Sequence, residues 1–147
     1  MSATADHAET NLAARLGFQS DQVVQEIGFD DDADQEFREA IEEQIGSDLV
    51  DEDYDDVADA VLLWFRDEDG DLTDALVDAT EFVEDNAVIL LMTPKTGRDG
   101  HVLPSDVNEA ATTAGLSTSK PVSVGKDWTA NKLVTPKAAK AAKTGKR

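Results

Sequence analysis

Asp59-Ala-Val-Leu-Leu-Trp-Phe65 and Ala87-Val-Ile-Leu-Leu-Met92 are the two stretches that decide the fold, because each contains a continuous apolar run bounded by polar residues. Such runs are typical of strands that are covered on both faces of a sheet. The segment between them carries an apolar stripe at helical spacing: Leu72, Ala75, Leu76, Ala79 and Val83. We therefore predict a strand, a crossover helix and a parallel strand, connected with right-handed topology.

The same patterns extend to both sides of this unit. Helical spacing predicts helices over 6–16, 30–45 and 105–114, the last with Ser105 as N-cap, and a glycine follows each of them. Short apolar segments predict strands over 23–27, 48–50, 122–124 and 131–134. This alternation predicts an α/β fold: a three-layer Rossmann-like sandwich with a mainly parallel sheet and a late antiparallel strand pair.

Charge is distributed very unevenly along the 147 residues, which carry a net charge of −19. Residues 1–92 hold 28 acidic and three basic residues, a net of −25, whereas residues 93–147 hold four acidic and ten basic residues, a net of +6. The longest apolar run is far shorter than the roughly 20 residues of a membrane span, and no secretory signal follows Met1. We expect a cytoplasmic protein that does not associate with membranes.

The composition also excludes several kinds of site. With no Cys and only two His, the chain has no thiol nucleophile, thiolate site or multi-His metal centre. Asp67, Asp69 and Asp71 resemble a calcium loop, but Leu72 stands at the position that requires Gly. The sequence therefore predicts neither a metal site nor a catalytic residue.

We expect residues 1–135 to form one Rossmann-like domain and residues 136–147 to form a disordered Lys-rich tail. The tail has no apolar side chain larger than Ala, and its cations are Lys137, Lys140, Lys143, Lys146 and Arg147. Such a segment either lies on the acidic body of its own chain or attracts the phosphates of a nucleic acid. Nucleic acid is thus a candidate partner through the tail only.

The segment Glu26-Ile27-Gly28 resembles the opening of a glycine-rich loop that would hold S-adenosylmethionine or a dinucleotide. It continues with Asp30, Asp31 and Asp32 instead of further glycines. Anionic cofactor groups need close backbone approach and a helix N-terminus without competing carboxylates. We therefore predict no cofactor and interpret Gly28 as the end of a strand.

The strongest candidate for a functional surface is the segment from Thr93 to His101, which follows the second buried run. In open α/β sheets, ligands bind beyond the carboxyl ends of the strands. The ligand-binding candidates are Trp64, Arg66, Asp67, Thr93, Lys95, Arg98, Asp99 and His101. One interpretation is that the cations hold a small anionic ligand or a protein partner; the other is that Lys95 and Arg98 pair with Asp67 and Asp69 and fix the loop.

At these residues the chain resembles the small actinobacterial proteins grouped as domain-of-unknown-function family 3052. The resemblance is carried by the segments 13–18, 22–28, 61–67 with 69–72, 93–100, 105–111 and 128–133. It implies a Rossmann-like domain related in topology to methyltransferases, with no established activity, cofactor or catalytic residue.

We therefore expect a non-enzymatic binding or regulatory protein with a degenerate Rossmann-like fold. The alternatives are an S-adenosylmethionine-dependent methyltransferase-like enzyme and a protein that associates weakly with nucleic acid through its tail.

Overall fold

A computed structural model describes residues 12–135, without the side chains of residues 84–86. Residues 12–15 are helical and lead into Gly17, which agrees with the end of the first predicted helix. The start of that helix and the predicted tail, residues 136–147, lie outside the described residues.

The described part contains six strands and three longer helices. The strands are β1 (Val24–Ile27), β2 (Ala58–Trp64), β3 (Val83–Pro94), β4 (Ser117–Thr118), β5 (Val122–Val124) and β6 (Trp128–Val134). The helices are α1 (Gln35–Ile45), α2 (Leu72–Thr80) and α3 (Pro104–Ala114), and a short 3-10 turn spans Asp67–Asp69.

The six strands form one sheet in which β1, β2 and β3 are parallel neighbours. Strand β6 lies antiparallel beside β3, and this register places Trp128 opposite Pro94. Strands β4 and β5 both pair with β6 in antiparallel orientation. The predicted mainly parallel sheet with a late antiparallel pair is confirmed.

Helices cover both faces of the sheet, which gives three layers. Alternate residues of β2 enter opposite cores: Ala60, Leu62 and Trp64 pack with α1, whereas Val61 and Leu63 pack with α2 and α3. Burial on both faces explains why β2 and β3 are apolar at every position of their central runs. The two predicted central strands and the crossover helix are confirmed, except that the helix ends at Thr80 and Val83, which was predicted as part of its stripe, begins β3.

Capping residues decide where the helices begin. The carboxylate of Asp34 accepts a hydrogen bond from the backbone N–H of Phe37 at 2.9 Å, so α1 begins at Gln35 and not at residue 30. Helix α3 begins at Pro104 and its N-cap is Leu103, so the prediction of Ser105 as N-cap was wrong. Proline suits the first turn of a helix because the N–H that it lacks has no partner there.

Two strand predictions need correction. The segment 48–50 forms only a single bridge, between Val50 and Gln25 on β1. Strand β4 was not predicted, because Ser117 and Thr118 are exposed polar residues without an apolar pattern.

Candidate functional site

The parallel strands place a crevice at the carboxyl ends of β1 and β2. From β1 the chain passes through α1 to Val50, which bridges to β1, and then returns to form β2 on the opposite side of β1. Strand order therefore reverses at β1. In open α/β sheets, a reversal of this kind is where ligands bind.

The side chain of Arg66, which follows β2, fills this crevice. Its Nη1 donates hydrogen bonds to the carbonyl oxygens of Gly28 at 2.7 Å and Trp64 at 3.3 Å. Its Nε donates to Asp32 Oδ2 at 3.1 Å, and Nη2 donates to the other oxygen of the same carboxylate. The guanidinium carbon also lies 5.3 Å from the ring centroid of Trp128. Arg66 is only 8% exposed, so the chain itself occupies the space in front of β1 and β2.

The contacts between Arg66 and Asp32 shift the pKa values of both groups. The side-chain hydrogen bonds from Arg66 hold the pKa of Asp32 below its ordinary value, although partial burial opposes this. Burial acts to lower the pKa of Arg66, but the hydrogen bonds and charge of Asp32 outweigh it and raise that pKa. Both groups are therefore charged at neutral pH, in bidentate geometry.

Other parts of the chain contact Gly28 at its N–H, at its carbonyl and beside its Cα. Its backbone N–H donates to Glu52 Oε2 at 2.8 Å, and its carbonyl accepts from Arg66. A methyl group on its Cα would lie 2.3 Å from the carbonyl oxygen of Trp64, and its φ is 79°. Glycine is required here because the backbone of β2 occupies the space that a side chain would need.

A second network lies behind the crevice, around the buried carboxylate of Glu26. It accepts a hydrogen bond from Trp64 Nε1 at 2.8 Å and two from Arg38, at 2.6 Å and 2.8 Å. The hydrogen bond with Glu26 raises the pKa of Arg38. Trp64 packs edge-to-face on Trp128 at a centroid distance of 4.8 Å. These contacts fix the floor of the crevice.

Beside the crevice, residues 95–101, called the rim loop below, contact residues 125–127, the hairpin turn between β5 and β6. The backbone N–H of Lys95 donates to the carbonyl of Asp127 at 2.8 Å, and Lys95 Nζ donates to the carbonyl of Gly125 at 2.9 Å. Arg98 Nη2 lies 2.9 Å from Asp127 Oδ1, and both side chains are 55% exposed. His101 Nδ1–H donates to the carbonyl of Pro94 at 2.9 Å.

The structure divides the eight predicted site residues into two groups. Trp64, Arg66 and Thr93 are buried, and they belong to the core and the filled crevice. The remaining five are partly or fully exposed: Asp67, Lys95, Arg98, Asp99 and His101. The backbone N–H of Asp67 donates to the carbonyl of Gly100 at 2.9 Å, which links the end of β2 to the segment 95–101.

The predicted pairing of Lys95 and Arg98 with Asp67 and Asp69 was wrong. The two cations contact the hairpin turn instead, and Asp69 lies 3.5 Å from Arg66. The physical reason is the antiparallel β6, which places Trp128 opposite Pro94 and so brings the hairpin turn to the edge where β3 ends.

Sequence reasoning missed Asp32, Glu52 and Trp128 as components of the crevice. One signal was available, because Arg66 is one of only three basic residues among the first 92 and follows an apolar strand. A buried cation in an acidic segment must be paired. The sequence did not indicate which of many carboxylates it meets.

A cofactor of the kind that a Rossmann-like crevice holds does not fit the residues present here. A ligand that approached Gly28 closely would need its N–H, its carbonyl and the space beside its Cα. The N–H already donates to Glu52, the carbonyl accepts from Arg66, and the Trp64 carbonyl occupies the space beside the Cα. Among residues 12–135, no group of three or more Asp, Glu or His side chains is arranged to hold a metal ion. A search of the same residues finds no helix long and apolar enough to span a membrane.

Comparison with known proteins identifies the family. The family described as protein of unknown function (DUF3052) matches residues 13–137, so the chain belongs to it. An uncharacterized protein of Mycobacterium tuberculosis is 52% identical over 143 residues, which cover 97% of this chain and 87% of that relative. An uncharacterized protein of Mycobacterium bovis matches with the same identity and coverage.

Solved structures with a similar fold include methyltransferases. A precorrin-6y C5,15-methyltransferase from Geobacter metallireducens superposes with a TM-score of 0.61 at 11% identity, over 88% of each chain. A SAM-dependent methyltransferase from Aquifex aeolicus gives 0.56 at 13% identity, over 86% of this chain and 89% of that one. The pyocyanin biosynthetic protein PhzM gives 0.63 at 13% identity, and the match spans 87% of this chain but 54% of PhzM. At these identities the likeness shows the fold alone.

Proposed function

We propose that this member of the DUF3052 family is a non-catalytic binding or regulatory module, in which side chains of the protein occupy the crevice that a methyltransferase-like sheet otherwise offers to a cofactor. The observation that carries the proposal is the state of Gly28. Its N–H donates to Glu52 and its carbonyl accepts from Arg66. The Trp64 carbonyl occupies the space beside its Cα where a side chain would stand.

The energetics support a closed crevice. A ligand that entered would have to separate Arg66 from the Asp32 carboxylate and from two backbone carbonyls. Leaving a buried guanidinium without partners costs about 3 kcal/mol or more. A cofactor would have to recover this free energy before it gained any affinity.

The surface that remains available for binding is formed by the rim loop and the hairpin turn. Lys95 uses one of its three ammonium protons on Gly125, and Arg98 is half exposed beside Asp127. The remaining donors of both cations face solvent on a chain that is otherwise strongly acidic. We propose that this surface binds an anionic group of a protein partner or a small anionic ligand.

Calorimetry tests the closed crevice. The wild-type protein is titrated with S-adenosylmethionine, S-adenosylhomocysteine, NAD and NADP, and we expect no saturable heat. Saturable binding of any of these with a micromolar Kd would contradict the proposal and favour a cofactor-dependent enzyme.

An NMR titration with inorganic phosphate tests the proposed binding surface. We expect amide shifts at Thr96, Gly97 and Gly100 that saturate and that disappear in the double variant Lys95→Ala, Arg98→Ala. The control is Lys120→Ala, which removes an exposed cation outside the rim loop and should retain the shifts. A double variant that melts several degrees lower but still binds phosphate would contradict the binding role and assign a structural role to both cations.

Two alternative functions have their own support. The methyltransferase fold of the similar structures favours a methyltransferase-like enzyme, and the calorimetric experiment distinguishes it. The five cations of residues 136–147 favour weak nucleic-acid association. That alternative predicts salt-sensitive retention of DNA that is lost when those residues are deleted.

A further inference from the structure

A cavity of about 290 Å³ lies between α3 and the β4–β5 edge of the sheet, away from the filled crevice. Its walls include Val107 and Asn108 of α3, Thr118 and Ser119 at the edge, and Asn131 and Leu133 of β6. Among the described residues, none that lines it is charged. Two other cavities are lined by several carboxylates each, so this uncharged one is unusual for a chain with a net charge of −19.

The side chain of Asn131 gives the cavity a polar point. Its Nδ2 donates to the carbonyl of Leu91 at 3.0 Å and to Thr93 Oγ1 at 3.3 Å, both on β3. The two acceptors fix the orientation of the carboxamide, because a reversed amide would set its oxygen against the Leu91 carbonyl. With Nδ2 directed to β3, Oδ1 is directed away from β3, toward the cavity that the residue lines.

This oxygen is an acceptor without a donor. Asn131 is 6% exposed, and no residue between 12 and 135 donates a hydrogen bond to its Oδ1. Among the described residues, Gln25 Oε1 is the one side-chain atom that is both fully buried and unpaired, so Asn131 Oδ1 is open to the cavity and can accept a hydrogen bond from an occupant.

We infer that this cavity is a binding site for a small uncharged molecule that presents an N–H donor beside an apolar body, such as a primary carboxamide or a heterocyclic amide. The N–H donates to Asn131 Oδ1, and the apolar body contacts the buried side chains of Val107 and Leu133. The hydroxyls of Thr118 and Ser119 lie at the mouth, where they can bind the carbonyl of the same amide. A charged ligand is disfavoured because the walls offer it no counter-charge.

Ligand-detected and protein-detected NMR with benzamide tests this inference. We expect saturable shifts of the Asn131 side-chain amide and of the Val107 and Leu133 methyl groups. N,N-dimethylbenzamide keeps the ring and the carbonyl but has no N–H, so it should bind about ten-fold more weakly. Benzoate should cause no saturable shifts at these positions.

Ser119→Trp places a large side chain at the exposed mouth and should abolish benzamide binding, and Thr118→Trp provides a second variant with the same expectation. Thr113→Trp is the control, because it adds the same bulk to an exposed position of α3 that lines a different cavity. The inference would be overturned if benzamide caused no shifts or if its shifts mapped to other residues. It would also be overturned if benzamide and its dimethyl analogue bound equally, or if both Trp variants of the mouth still bound benzamide.

Discussion

Arg66 and Arg98 each pair with an aspartate at the same edge of the sheet, but the two pairs lie in opposite environments. The side chain of Arg66 is 9% exposed and binds Asp32 as well as two backbone carbonyls, whereas Arg98 and Asp127 are both 55% exposed. An arginine–aspartate pair therefore has a different effect in each of the two places. The buried pair occupies a ligand crevice, and the exposed pair leaves its donors available to solvent.

The largest effect is expected when the buried cation is removed. Arg66→Ala leaves the carbonyls of Gly28 and Trp64 without a donor and Asp32 without its partner, so the free energy of unfolding should fall by about 3 kcal/mol. Urea denaturation measures the change. Arg66→Lys keeps the charge but loses the bidentate geometry, and its stability should lie between those of Arg66→Ala and the wild type. A loss below about 1 kcal/mol for Arg66→Ala would show that the crevice does not depend on this side chain.

A smaller effect is expected when the partner of Arg66 is neutralised. The pKa of Asp32 is lowered in the folded protein, chiefly by hydrogen bonds from Arg66, so its carboxylate stabilises the fold above its ordinary pKa of about 3.9. This contribution is lost as the pH falls through the lowered pKa. Because Asp32 is half exposed, Asp32→Asn should cost only about 1 kcal/mol at pH 7.

Denaturation at several pH values distinguishes this effect from a general loss of packing. The difference between wild type and Asp32→Asn should shrink as the pH is lowered below about 4. In an Arg66→Ala background the same substitution should have almost no effect at any pH. A difference that is constant between neutral pH and pH 3 would contradict the electrostatic explanation.

The smallest effect is expected at the exposed pair. Arg98→Ala and Asp127→Ala should each change the free energy of unfolding by less than about 0.5 kcal/mol, because exposed ion pairs are screened by solvent and salt. A double-mutant cycle should give a coupling of about 0.3 kcal/mol. A coupling above about 1 kcal/mol would show that Arg98, like Arg66, stabilises the fold through its aspartate partner.

The sequence predicted the fold well where burial leaves a pattern. The apolar runs of β2 and β3 and the stripe between them identified the central parallel strands and their crossover, since both faces of these strands are covered. The prediction was poor at the margins of the sheet. Segment 48–50 forms a single bridge, and β4 consists of two exposed residues that give no apolar signal.

The candidate site was predicted only in part, because its structure depends on long-range placement. The rim loop follows directly from the end of β3, and its Lys95 and Arg98 could be named in advance. Their contacts could not, because only the antiparallel β6 brings the hairpin turn beside them. The carboxylate that meets Arg66 could not be selected either, since the chain has 32 acidic residues and the choice depends on where the turn before α1 places Asp32.

The bond from the Trp128 indole to the carbonyl of Asp32, at 2.9 Å, joins residues that are 96 positions apart. During translation, β1, α1 and β2 leave the ribosome long before Trp128 is synthesised, so Arg66 can meet Asp32 while one wall of the crevice is still missing. Closing a segment of this length costs conformational entropy, and contacts of high sequence separation slow folding. The crevice therefore lacks one wall in any chain without β6, because β6 supplies the Trp128 ring that lies 5.3 Å from the Arg66 guanidinium carbon.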